Sequence, residues 1–156
     1  MVRLYVAGEN AVSVIVDGSV ETRLDGRGAR CMALDPEDPY TLYVGTSNEG
    51  VFKSEDGGGT WEELSGIEHP RVTAVAVSPV DGAVYAGTEP SALFVSRDGG
   101  ASWRELEDMR NLPSAPTWSF PPRPWTSHVR AIALSYADPS LVVVGIELGE
   151  IGRAHV

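Results

Sequence analysis

The chain of 156 residues has one cysteine, one lysine and no apolar run of about 18 residues, so no segment reads as a membrane-spanning helix. Cys31 alone permits no internal disulfide. It stands where related segments carry Ala74 and Ala131, which makes it a buried small residue rather than a reactive thiol. Lys53 is the single lysine, the arginines are scattered, and the net charge is -10. A nucleic-acid surface needs a basic stripe, so nucleic acid is excluded as a partner, and binding to anionic membranes is disfavoured for the same reason. Met1 opens directly into a strand pattern, with no charged and then apolar leader. No signal peptide is expected on this chain, and the default compartment is the cytoplasm. Metal-ligand clusters and Ser/His/Asp arrangements are not visible in the spacing, and no cofactor is expected.

What the chain does have is one octapeptide, twice. It reads Ser54-Glu55-Asp56-Gly57-Gly58-Gly59-Thr60-Trp61 and again Ser96-Arg97-Asp98-Gly99-Gly100-Ala101-Ser102-Trp103, with both the aspartates and the tryptophans 42 residues apart. A fixed period of this size marks a repeat architecture. Each copy follows an apolar run and precedes a short polar-apolar run, as a hairpin turn does. The Asp carboxylate can accept backbone N–H groups and close the turn. The glycines supply left-handed backbone, and the Trp is the expected apolar anchor.

The skeleton Ser-x-Asp-Gly-Gly-x-Thr/Ser-Trp resembles the Asp-box, or BNR repeat, of sialidases and other β-propeller proteins. The resemblance covers residues 2–149 and is greatest to bacterial sialidase-like and glycosyl-hydrolase-like BNR-repeat proteins, with photosystem II stability factors and the sortilin ectodomain more distant. It implies an all-β, partial β-propeller of four-stranded antiparallel blades. It also implies a structural role, away from any active site, for Ser54, Asp56, Gly58, Trp61, Ser96, Asp98, Gly100 and Trp103. True sialidases carry an Arg-Ile-Pro segment, an arginine triad and a Tyr/Glu nucleophile pair; Arg-Ile-Pro does not occur here.

The repeat divides the chain into a partial blade (1–28), two full blades (29–70 and 71–111), a proline-rich insertion (112–127) and a partial blade (128–149). The inner strand of each blade alternates small and large residues, as in Val72/Ala74/Ala76 against Val75/Val77. That suits strands buried on both faces and tapering toward an axis. The insertion holds five prolines interleaved with Trp118, Phe120 and Trp125, and reads as a stiff loop, not a strand. Residues 150–156 fit no third-strand pattern. Their codons can spell a common sequencing-library adapter, so they are expected to be a non-native tail outside the fold. Open blade edges are expected to drive self-association.

Antiparallel order puts the octapeptide turns at one end of every blade. The turns between second and third strands, the blade-to-blade connections and the insertion lie at the other end. That other end collects Glu9, Glu49, Glu89 and Glu147, together with Arg30, Arg71, His128 and Arg130. With Trp118 and Trp125 as aromatic platforms, it could hold a sugar or a peptide. The candidate ligand-binding set is Trp118, Trp125, Arg130, His128, Glu89 and Glu147. The alternatives are surface pairing for the charged residues and loop packing for the tryptophans. His69, next to Pro70 in a linker, is expected to face solvent. A binding or scaffold module for a glycan or protein partner is favoured. The other reading is part of a sialidase-like glycoside hydrolase, for which no acid–nucleophile pair is identifiable.

Overall fold

Short apolar runs separated by Gly, Pro and Asp turns become strands, and consecutive strands pair antiparallel throughout. The computed structural model describes residues 2–118 and 126–147, and the backbone of residues 151–155. The first sheet contains β1 (Arg3–Ala7), β2 (Val12–Val16) and β3 (Ser19–Arg23). The second contains β4 (Ala29–Leu34), β5 (Leu42–Thr46), β6 (Val51–Ser54) and β7 (Glu62–Leu64). The third repeats that order with β8 (Val72–Val77), β9 (Val84–Thr88), β10 (Leu93–Ser96) and β11 (Arg104–Glu105). The last has β12 (Val129–Leu134), β13 (Leu141–Ile146) and β14 (Ile151–His155). The inner strands β4, β8 and β12 lie side by side. The second strands of the two full sheets, β5 and β9, are buried along their whole length.

The octapeptide turns are closed as their composition dictates. Asp56 Oδ1 accepts from the Thr60 N–H at 2.9 Å and Oδ2 accepts from the Thr60 hydroxyl at 2.8 Å. The Ser54 hydroxyl donates to Asp56 and accepts from the Gly58 N–H, both at 2.9 Å. Asp98, Ser96, Ser102 and Gly100 repeat every one of these bonds. The hydrogen bonds from Thr60 hold the Asp56 carboxyl down at about 2, and those from Ser102 do the same for Asp98.

The turns also reach outward, which their composition alone did not suggest. The Tyr5 hydroxyl of the first sheet donates to the Gly57 carbonyl of the second at 3.1 Å, and Tyr43 of the second donates to Gly99 of the third at 3.3 Å. Gly58 and Gly100 have φ of 88° and 97°, and a Cβ there would stand 3.2 Å from Val14 and 2.3 Å from Leu64 of the preceding sheet. Glycine at these two positions satisfies both the turn and the approach. Trp61 and Trp103 are partly rather than fully buried. They pack on the clusters around Val14 and Val51, between sheets, instead of anchoring a deep core.

Two expectations are corrected, for residues 150–156 and for His69, and the insertion is described in part. Residues 151–155 form a strand inside the fold: Gly145 faces Ile151 in the same register as Gly45 with Val51 and Gly87 with Leu93. Backbone pairing accepts residues that match no side-chain pattern, so the last sheet has three strands rather than two. The insertion contains a 3-10 turn at Ala115–Thr117, and its remainder from 119 to 125 lies outside the described residues. His69 is partly buried and sets its ring edge-on to Phe94, with centroids 6.3 Å apart. Cys31 is part-buried rather than fully buried, and desolvation still pushes its thiol up to about 12.

Two strand glycines set the spacing between sheets. A Cβ on Gly45 would lie 2.5 Å from the Cys31 Sγ of its own sheet and 2.6 Å from Val72 of the next, and one on Gly87 would lie 2.3 Å from Val129. The equivalent Gly145 has nothing nearer than Ala131 at 3.9 Å. Gly45→Ala and Gly87→Ala should therefore each cost about 1–3 kcal/mol in chemical denaturation through overpacking. Gly145→Ala should stay within about 0.5 kcal/mol. Equal losses at all three positions would mean that inter-sheet contact is not what excludes the side chain.

Candidate functional site

At the end opposite the octapeptides, tight turns join second to third strands. Thr46 N–H donates to Gly50 at 2.9 Å and Thr88 N–H to Ala92 at 3.1 Å. The inner strands begin at this same end, and each carries an irregularity at the same place. The register of β4 shifts between Ala29 and Cys31, that of β8 between Val72 and Ala74, and that of β12 between Val129 and Ala131. The residues at the shifts are Arg30, Thr73 and Arg130. A bulge re-aims a side chain at a strand end. All three line one open cavity of about 700 Å³, together with Glu9, Asn10, Ser47 and His128. Every sheet of the chain thus contributes to its wall.

Charge is distributed unevenly around this mouth. Arg130 and His128 both meet Glu147, at 2.6 and 2.8 Å, and the bond from Arg130 holds the Glu147 carboxyl below its ordinary range. Arg71 pairs with Glu89 at 3.3 Å, and Arg27 with Glu49 at 2.6 Å. Arg30 instead turns its Nε to the Ser47 hydroxyl at 2.8 Å. Among the described residues no carboxylate pairs with it, so its charge faces the cavity uncancelled. Glu9 is the single carboxylate among the described residues lining the mouth.

The anticipated set divides. His128 and Arg130 line the mouth, and Glu147 orders both. Glu89 lies apart, its Oε1 accepting from Thr126 at 3.0 Å. Trp118 is not held out as a platform: it is 9% exposed and packs with Tyr85, Leu106, Met109 and Ile146. Loop packing describes it, although it also borders a second cavity of about 440 Å³ beside Ser91 and Ser127. Trp125 lies outside the described residues. Thr73, Ser47 and Asn10 were missed as lining residues. Thr73 was legible in principle, because it aligns with Arg30 and Arg130 at the start of the repeated inner strand.

Comparison with solved structures fixes the architecture. The GH74 xyloglucanase from Xanthomonas campestris superposes with a TM-score of 0.78 at 16% identity, over 98% of this chain and 27% of that one. The fold is a β-propeller. The WD40 β-propeller domain of Doa1 gives 0.70 at 12% identity, over 97% of this chain and 46% of that domain. YCF48 bound to D1 peptide gives 0.57 at 20% identity, over 83% and 37%. The chain therefore spans about a quarter of the xyloglucanase and less than half of the other two. No family model and no curated protein matches the sequence.

The burial of Trp118 has a measurable consequence. Trp118→Ala should leave a core cavity and cost roughly 3–5 kcal/mol in chemical denaturation. A platform held out for a ligand would lose little stability on the same change.

Proposed function

We propose that this propeller is a binding module whose glycan or protein ligand seats at the mouth opposite the octapeptide turns. The observation that carries the reading is the repeated bulge. Three successive inner strands break register at one position, and the three residues so placed, Arg30, Thr73 and Arg130, converge on one cavity. Regular strands would be the lower-energy default, so a repeated irregularity that aims polar side chains at a shared space supports a recognition role. Arg30 supplies the uncancelled charge and the guanidinium fork suited to planar acceptors. Arg130 is braced by Glu147, which fixes its direction. The octapeptide turns, with the family resemblance they carry, stay structural in this reading and mark the non-functional end.

The second reading is part of a glycoside hydrolase, which the likeness to GH74 enzymes favours. Glycosidic cleavage typically uses two carboxylates flanking the bond. The described mouth has Glu9 alone, which supports binding over hydrolysis.

Both readings meet one experiment. Xyloglucan oligosaccharides, a sialoside and peptides ending in a free carboxylate are titrated against the chain by calorimetry, and xyloglucan and a fluorogenic sialoside are assayed for turnover. Binding without turnover is expected. Arg30→Ala should lose at least about tenfold in affinity, as for a charged hydrogen bond, at nearly unchanged melting temperature. Turnover abolished by Glu9→Gln would establish the hydrolase reading instead. Binding that survives Arg30→Ala and Arg130→Ala together would remove the mouth as the site.

A further inference from the structure

Ser47, Glu89 and Glu147 stand at one position of the repeat, immediately after the second strand of each sheet. Each backbone N–H donates to the carbonyl two residues ahead of a bulge: Ser47 to Gly28 at 2.9 Å, Glu89 to Arg71 at 3.0 Å and Glu147 to His128 at 3.1 Å. In two of these sheets the side chain is a carboxylate that meets the cations beside it. Glu89 pairs with Arg71, and Glu147 with Arg130 and His128. In the sheet of β4–β7 the same position holds a serine. Its hydroxyl accepts from Arg30 Nε at 2.8 Å and donates to the Gly28 carbonyl at 3.1 Å. Ser47 thus orients the Arg30 guanidinium without neutralising it. Glu49, two residues on, is taken by Arg27. Thr73, at the bulge of the next sheet, spends its hydroxyl on the Val129 carbonyl at 2.6 Å. With Nε engaged, the two terminal nitrogens of Arg30 are the edge left for a ligand, and that edge meets a carboxylate through two parallel bonds.

The rest of the lining narrows the ligand further. The chain carries a net charge of -10, yet Arg30 and Arg130 line this mouth, with Glu9 the single carboxylate among the described lining residues. A local excess of cationic groups draws an anion. Among the described residues the aliphatic lining is Ala7 and Ala29, which leaves a peptide no pocket for an apolar anchor. Glu9 and Asn10 instead offer acceptors and a donor for hydroxyl groups. We propose that Ser47 determines the specificity of the mouth by selecting a sugar acid, whose carboxylate pairs with Arg30 and whose hydroxyls meet Glu9 and Asn10. The inference rests on the mouth being the binding site, and adds the charge of the ligand and the residue that sets it.

The test titrates trigalacturonate and its methyl ester, which differ in charge, against the full chain by calorimetry, with a peptide ending in a free carboxylate as the third probe. The acid should bind saturably and at least about tenfold more tightly than the ester, as for a charged hydrogen bond. Ser47→Glu gives Arg30 the carboxylate that the other sheets have. It should weaken the acid at least about tenfold and bring the acid-to-ester ratio toward one, a change of selectivity that a loss of folded protein would not produce. The reverse change, Glu147→Ser, should leave Arg130 as uncancelled as Arg30 and tighten the acid about 2–5-fold, with no gain for the ester. Should Ser47→Glu fail to fold, Glu147→Ser decides the matter. Equal affinity for acid and ester, an unchanged ratio in folded Ser47→Glu, no gain for the acid in Glu147→Ser, or tighter binding of the peptide than of trigalacturonate would each overturn the proposal. Ester binding that Arg30→Ala and Arg130→Ala together abolish, with no preference for the acid, would remove the sugar acid and keep the mouth; acid binding that survives both changes would remove the mouth as well.

Discussion

Closure of the octapeptide by its own carboxylate is the interaction on which the remaining geometry depends. Asp56 gathers the Thr60 N–H, the Thr60 hydroxyl and the Ser54 hydroxyl, and Asp98 gathers the corresponding groups of Ser102 and Ser96. With the turn held in this way, its first glycine carbonyl points at the preceding sheet's tyrosine and its second glycine lies against that sheet's side chains. The spacing between sheets follows, and with it the requirement for Gly45 and Gly87 against Val72 and Val129. The inner strands then stand close enough around the axis for three bulged residues to share one cavity. One local hydrogen-bond pattern is thus linked through packing to the recognition end of the molecule, although the two lie at opposite ends of every strand.

Much of this was legible before any coordinates. The 42-residue period, the alternating inner strands and antiparallel order placed the octapeptides and the Arg/Glu ring at opposite ends, and the ion pairs of Arg71 with Glu89 and Arg130 with Glu147 lie at the anticipated end. Other features were not legible, for physical reasons. β14 carries no octapeptide residues, yet a strand needs only backbone pairing, and Ile151 pairs with Gly145. The orientation of Trp118 depends on which cavity the preceding 3-10 turn presents it to, which composition does not encode. The bulges are shifts of register between strands, whereas a single residue column shows only that Arg30, Thr73 and Arg130 align.

The tyrosine-to-glycine bonds were recoverable but passed over. They join residues 52 and 56 positions apart, and each partner sits in a column that the repeat alignment already contained. Reading the columns against one another, rather than one at a time, would have paired them. In a repeat fold each repeat contacts its neighbours, so a residue that recurs in type at a sheet face can find its partner in the adjacent repeat.

The measurement that bears most directly on this account is the melting temperature from pH 7 to pH 2, for the chain and for Asp56→Asn/Asp98→Asn. Both carboxyls sit at about 2 in the folded chain, below the ordinary value of roughly 3.9. A depressed folded value means that the stabilisation is fully present above about pH 4 and is lost as pH falls toward 2. Asparagine keeps the acceptor oxygen but does not titrate. The account predicts a steep acid limb for the chain and a shallower one for the double variant, with residual slope from Asp38, Asp81 and Glu147. Superimposable acid limbs would contradict the claim that the ionised turn carboxylates hold the sheets in place.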